Sequence, residues 1–465
     1  MTIGATERDT IGAMQLTGGH RLHIPARAPN DGLRDGVASA DVGLRRWVAF
    51  LIIGYLLMTR SFAYLGVPPA SLFIGELALG LLLFTRTRAL NWFLLNRTET
   101  LPLRAVRWAM LAYLSHGGVA FAWALWQGYP TIDIVRMFGF HYYVLYLVFG
   151  VWAGIQFPGF LPQLVRTLAW ATAIYGVLWV VVLNRVPLWI PGSPAVVVFG
   201  QPGSGGIVML GLLAFGLARS HWPLLLCATF VFLGVQMRAE WLGGIAGLAI
   251  LFMLGRNQQQ MIGILVAAIL LVAVAFALDL KMDGATGRDG ELSVRGIVAR
   301  SIAPINPQMA SDLTGTDFTS FKGTVDWRTS WWEQIWLKIN DHPSDAVFFL
   351  GMGYGYPIGE LGAYGTGGIR TPHNIFFYAL GYHGWIGVLA FVTLQGVILF
   401  TMMRVYRRTG QPFGILFCVI CTSMALFGNF FETPYGATPY YLMVGLCMAP
   451  LVRGPLPSGT KPGYA

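Results

Sequence analysis

The apolar positions of this chain come in long unbroken runs rather than in alternation. A helix crossing the hydrocarbon core of a bilayer needs about 20 apolar residues. Such runs recur at 47–67, 69–85, 107–126, 137–155, 164–183, 203–218, 222–237, 239–255 and 261–280. Three more follow at 374–402, 412–431 and 436–452. The pattern predicts an all-α polytopic membrane protein of about 12 transmembrane helices. One polar stretch between them, 281–372, is long enough to form a folded unit in water. The expected divisions are a disordered tail over 1–46, helices one to nine over 47–280, and a loop over 281–372. Helices ten to twelve then occupy 373–452, and a second tail occupies 453–465.

Composition agrees with this reading. The 465 residues are 55% hydrophobic and 11% charged, with a mean hydropathy of +0.60, whereas soluble proteins carry about 25% charged residues. The net charge of +10 would suit nucleic acid on a soluble protein, but here the basic residues sort by loop. Arg45, Arg46, the group Arg86 to Arg107, Arg166, Arg219, Arg256, and the trio Arg404, Arg407 and Arg408 fall on one side. Short loops on the other side hold few: Arg136, Arg185 and Arg238. Positive charge marks the cytoplasmic side, so both termini are expected in the cytoplasm and 281–372 outside, in the bacterial inner (plasma) membrane. No nucleic-acid partner is expected. The N-terminal tail lacks the apolar core of a cleavable signal. All four cysteines lie in apolar runs, so Cys418-x-x-Cys421 reads as helix packing rather than a redox or zinc pair. Gly243-x-x-x-Gly247 suits close helix contact.

Candidate chemistry concentrates in and beside the large loop. Asp326-Trp327-Arg328-x-x-Trp331-Trp332-x-x-x-Trp336 suits one face of a short amphipathic helix lying at the membrane interface. Gly351-Met352-Gly353-Tyr354-Gly355-Tyr356-Pro357 has no following helix start of the kind that cradles phosphate, and reads as a flexible lid. His373 stands between Pro372 and Asn374, where Asn374 can cap the next helix. A single interfacial histidine or arginine is ordinarily a solvated polar residue. Here the topology puts Arg238, Arg328 and His373 on one side of the membrane, with Arg136 at another helix edge on that side. Glu76 lies inside an apolar run, where an ionisable residue is a functional candidate without any evident partner. No Asp-x-Asp pair occurs in the chain. If a sugar diphosphate is the donor, arginines rather than a carboxylate-held metal must then neutralise its leaving group.

These features together resemble the O-antigen ligase and polymerase superfamily, integral membrane glycosyltransferases of bacterial surface polysaccharide assembly. The resemblance rests on the layout and on the order Arg328-x-x-Trp331, Pro343, Gly351-x-Gly353-x-Gly355, His373-Asn374 and Gly384-x-x-Gly387. Gln236-Met237-Arg238 is similar to the family's external arginine. His383 departs from the pattern, since the family often shows Glu before that glycine.

The resemblance implies a glycan donor on polyprenyl (undecaprenyl) diphosphate and transfer to an acceptor sugar hydroxyl at the outer face. No metal or other cofactor is implied. His373 would be the catalytic base, Arg238 and Arg328 would bind the diphosphate, and Arg136, Asn374 and Trp331 are further candidate substrate contacts. Partners would be the lipid-linked oligosaccharide donor, a glycan acceptor, membrane lipid and other polysaccharide assembly proteins. The loop from Lys281 to Arg370 holds eight Lys or Arg and ten Asp or Glu, a poor match to an anionic lipid A core. That leans the reading from ligase towards a polymerase of exopolysaccharide or O-antigen. A transporter or flippase is the rival from another class; it would be expected to place charges or broken helices near the midplane of two related halves.

Overall fold

The computed structural model describes residues 41–66, 73–95, 100–186, 188–191, 193–235, 237–255, 258–277, 281–282, 292–303, 306–315, 319–341, 343, 345–361 and 371–452. Residues 1–40 of the expected N-terminal tail, the expected tail over 453–465, and Gln236 lie outside the described residues.

The apolar runs fold as helices. In chain order these are α1 (Val42–Ala63), α2 (Ile74–Thr85), α3 (Thr87–Leu95), α4 (Leu101–Trp126), α5 (Thr131–Gln156) and α6 (Phe160–Val181). A short antiparallel pair, β1 (Trp189–Ile190) and β2 (Ser193–Val197), precedes α7 (Gly205–Ala214), α8 (Trp222–Gly234), α9 (Arg238–Met253) and α10 (Gln258–Ala277). The polar segment forms α11 (Val294–Ile302), α12 (Pro307–Thr314), α13 (Thr319–Asn340) and α14 (Ala346–Leu350). The chain ends with α15 (Ile375–Thr409), α16 (Phe413–Phe427) and α17 (Pro434–Met448).

Among the described residues, α1, α5, α6 and α15 are long and apolar enough to cross a membrane by length and composition. The helices α2, α7, α8 and α16 are apolar but shorter. Leu265, Ile269 and Leu270 on α10, and Leu389 and Val392 on α15, lie exposed on the surface. Contiguous apolar surface of this kind is rare on soluble monomers and is what lipid requires of a span.

The first helix begins at Val42, inside the stretch expected as tail, because the Asp41 side chain accepts from Leu44 N at 2.9 Å and caps it. Asp41 is also ion-paired with Arg86. Near its other end α1 breaks at Thr59 (φ 41°, ψ −115°), a sparsely allowed conformation for a β-branched residue. The end of β2 and the chain after it supply the missing partners. Thr59 Oγ1 donates to Gln201 O at 2.9 Å, Ser61 Oγ to Val197 O at 2.6 Å, and Gly203 N to Leu56 O at 2.9 Å. Irregular backbone inside an apolar bundle persists where neighbouring segments satisfy it in this way.

The interior is built by α5 against α17, α9 against α16, α4 against α15 and α1 against α17. On α9, Gly243 meets the backbone of Ile420 and Gly247 meets Leu210, so this small-residue pair does allow close helix approach. Glu240, also on α9, is fully buried and accepts from Gly206 N at 2.8 Å. A carboxylate at the start of α7 answers an orphan N–H and the positive end of the helix dipole.

Candidate functional site

Three segments are fastened together at Pro372-His373-Asn374. Asn374 caps α15, its Oδ1 accepting from Phe376 N at 2.8 Å and Phe377 N at 3.3 Å. Its Nδ2 donates to Leu426 O at 3.0 Å, which ties the start of α15 to the end of α16. One turn earlier on α16, Ser423 Oγ donates to Ala239 O at 3.0 Å, bringing in the first turn of α9. Arg238 is the first residue of that turn. On the other flank, Trp332 of α13 donates its indole N–H to Pro372 O at 2.8 Å and stacks on Phe377 at 5.2 Å. His373 between these anchors has φ 54°, left-handed backbone that a side-chain-bearing residue adopts at a cost of about 1–3 kcal/mol and that clusters at functional sites.

The same geometry directs Arg328. Residues 328, 332, 336 and 340 share one face of α13 by their spacing of four. That face lies along α15: Trp336 meets Trp385 at 5.6 Å and Trp385 Nε1 donates to Asn340 Oδ1 at 3.1 Å. Trp332 is level with Pro372, so Arg328 stands one turn, about 5.4 Å, further along and past the start of α15. Burial lowers its guanidinium from the ordinary value, and its Nε is shielded with no hydrogen-bond partner among the described residues. A half-desolvated guanidinium whose Nε finds no partner among the described residues is suited to an oxyanion. The aromatic stripe thus docks on protein, and α13 is a 22-residue helix rather than a short interfacial one.

The remaining candidates sit apart from this junction. Trp331 is 1% exposed and donates to Ile358 O at 2.8 Å, packing the inside of the polar segment. Arg136 is exposed at the start of α5, 3.8 Å from Asp133, and none of the anchoring contacts above reaches it.

The glycine run differs from the lid expected of it. Gly351, Gly353 and Gly355 have φ of 74°, 87° and 85°, open to glycine and strained for other residues. Met352 N donates to Gly381 O at 2.8 Å, Gly353 N to Tyr382 O at 3.2 Å, and Trp123 Nε1 to Gly351 O at 3.1 Å. A Cβ on Gly351 would strike the backbone of Tyr382 and His383. The loop is seated where α15 breaks at Gly384 (φ 59°, ψ −166°), and its backbone satisfies the groups that the break frees.

Behind the loop lies a polar cluster that single-residue reading missed. Tyr354 OH is 2.5 Å from His141 Nδ1, and His141 Nε2 is 3.1 Å from His116 Nδ1. His383, fully buried, stacks on Phe140 at 5.3 Å and meets His141 edge-on at 4.9 Å. The three histidines do not form a metal-holding group, and none occurs among the described residues. Glu76 also finds partners: its Oε1 accepts from Tyr143 OH and, at 3.4 Å, from Tyr142 OH.

A second feature that the sequence did not single out is Glu432, in the turn between α16 and α17. Its Oε2 accepts from Phe430 N at 3.0 Å, while its Oε1 is shielded and without a partner among the described residues. Burial pushes this carboxyl up to about 7. Beside the junction a cavity of about 530 Å³ runs between α15 and α16. Ile375, Phe376, Leu426 and Phe431 line its end near Asn374, and Val392 and Leu399 line it further along.

Comparison with curated proteins gives no match. Comparison with protein families gives one over α8 to α15, a segment that includes Arg238, Arg328, Trp331, His373 and Asn374 and leaves out Arg136 and Glu432. Residues 223–392 of this multi-pass helical membrane protein match the family described as O-antigen ligase, which supports a place for that segment in the O-antigen ligase superfamily.

Proposed function

We propose that this protein transfers a glycan from undecaprenyl diphosphate to an acceptor sugar hydroxyl at the outer face of the bacterial inner membrane. The observation that carries the reading is the junction itself. Asn374 to Leu426, Ser423 to Ala239 and Trp332 to Pro372 bring the segments bearing His373, Arg238 and Arg328 together beside an apolar cavity. The family match over residues 223–392 supports glycosyl transfer in general.

In this reading the polyprenyl tail lies between α15 and α16 and the diphosphate rests at the cavity's end. His373 takes the proton from the acceptor hydroxyl as that oxygen bonds to the anomeric carbon. The bond from that carbon to the phosphate oxygen breaks, and its electron pair leaves with the diphosphate. Arg238 and Arg328 stabilise the charge gathering there. Neither step calls on a metal or a nucleotide sugar.

The test is His373→Ala, purified and given a defined lipid-linked donor. It should fold and bind donor, and lose turnover by on the order of 10²–10⁴-fold; wild-type turnover would remove His373 from the mechanism. Reporter fusions at residues 95 and 407 should read as cytoplasmic and one at 320 as external.

The near balance of charge in the polar segment supports a polymerase of repeat units. A ligase is the second reading, favoured by the family's own description. A deletion strain that accumulates single lipid-linked repeats marks a polymerase, and one that accumulates long chains on the carrier marks a ligase.

A further inference from the structure

Glu432 is part of a corner that the transfer reading leaves unused. Its electrostatic neighbours include Tyr378, one turn past Asn374 on α15, and Tyr435 at the start of α17. The start of α2 lies against the start of α17, where a Cβ on Gly75 would stand 3.3 Å from Pro434, and α1 packs along α17, so that Arg60 and Tyr64 are electrostatic neighbours of Tyr435. Arg60 is exposed, with its guanidinium over the Tyr64 ring at 5.8 Å, and Tyr64 meets Phe73 at 5.0 Å. The break at Thr59 immediately before Arg60 sets the direction in which this end of α1 leaves the bundle. Four elements therefore meet in one corner: the end of α1, the start of α2, the turn before α17 and the first turns of α15.

The chemistry of the corner is mixed. It holds a shielded carboxyl oxygen with no partner among the described residues, an arginine with several donors, and tyrosine rings with their hydroxyls. A single arginine beside a buried carboxyl favours neither a phosphate nor a cationic ligand. A neutral polyol suits all of it: hydroxyls donate to the carboxylate, the guanidinium donates to sugar oxygens, and the apolar face of a pyranose packs on an aromatic ring.

We propose that Arg60, Tyr64, Glu432 and Tyr435 form a sugar-binding subsite that holds the terminal residue of the acceptor glycan. The proposal rests on the glycosyl-transfer reading. The acceptor rather than the donor is assigned here because the proposed diphosphate arginines come from α9 and α13, which are not among the elements of this corner. From this corner an acceptor hydroxyl reaches towards His373 along the first turn of α15.

The experiment uses the full-length protein in nanodiscs. The acceptor probe is the oligosaccharide released by mild acid from the producing cell's own surface polysaccharide. Glu432→Gln and Arg60→Gln should each raise the acceptor KM on the order of 10-fold or more, as loss of a hydrogen bond to a charged group does. Affinity for undecaprenyl diphosphate should stay at the wild-type value. His373→Ala should bind the oligosaccharide as the wild type does and fail to transfer to it. Wild-type acceptor KM in both Gln variants overturns the subsite. Should Glu432→Gln not fold, the exposed Arg60→Gln decides alone. Normal transfer by His373→Ala would instead sink the catalytic reading, and the oligosaccharide affinities would still report on the corner by themselves.

Discussion

Asn374 and Leu426 are joined by a hydrogen bond of 3.0 Å from the Asn374 amide to the Leu426 carbonyl, so the residue that caps α15 also fixes that helix to the end of α16. The two halves of the amide do different work and can be separated. Asn374→Asp keeps the oxygen that caps and loses the nitrogen that reaches Leu426, while Asn374→Ala loses both. Ala should lower stability by about 1 kcal/mol, the usual worth of a cap. Asp should leave the unfolding midpoint nearly unchanged and still reduce transfer, because misplacing a reacting group by about 1 Å can cost on the order of 10²-fold. Equal turnover for Asp and wild type would show that the link does not position the site.

The two arginines should respond to charge and to geometry separately. Arg238→Ala and Arg328→Ala should each strongly reduce transfer by purified protein while leaving membrane insertion normal. Lys at either position should recover part of the activity, since it restores the charge without the planar fork. Near-normal polymer from both Ala variants would return them to solvated edge residues.

Among the loop glycines, Gly353 and Gly351 should differ in kind. A Cβ on Gly353 would meet Trp123 and Tyr129 at ordinary contact distance, 3.4–3.5 Å, whereas one on Gly351 strikes backbone. Gly353→Ala should therefore cost only the left-handed strain, about 1–2 kcal/mol. Gly351→Ala should cost more, because the seat on α15 must open. Thermal unfolding in detergent checks the order, and equal midpoints would mean that the loop is not seated as described.

Glu432 should give the fold a pH dependence of known sign. Its carboxyl is raised by burial from its ordinary 4.5 to about 7, so the folded state keeps a proton that the unfolded chain has lost. The stability it contributes is full below 4.5 and is lost as the pH rises through 7. Phe430 N–H, Tyr378, Tyr435 and, beyond Tyr435, Arg60 are the groups around it. Glu432→Gln has no proton to lose there, so its unfolding midpoint should gain on the wild type between about pH 5 and pH 8. Parallel curves for the two proteins would show that the carboxyl titrates as an exposed one.

What the sequence determined by itself is what local periodicity and end signals encode. Long apolar runs are helical because a helix satisfies its own backbone bonds, whatever lies beside it. The run after Pro372 starts at Asn374 because a side-chain oxygen there meets the first free N–H groups. The four-residue spacing of Arg328, Trp332 and Trp336 set a common face before its partner was known. Tertiary structure alone decided what each face and end touches. The aromatic stripe could pack on lipid or on protein, and it packs on α15 because Pro372 O and Phe377 stand level with Trp332. Glycines permit a loose lid and a tight seat equally, and the break at Gly384 selected the seat by offering free carbonyls. Glu76, Glu432 and the three buried histidines read as isolated polar residues because their partners lie 25 to 242 positions away or, for Glu432, across four separate elements. Spacing cannot carry contacts of that range; they are set when the helices pack and each buried polar group has to find, or fail to find, a partner.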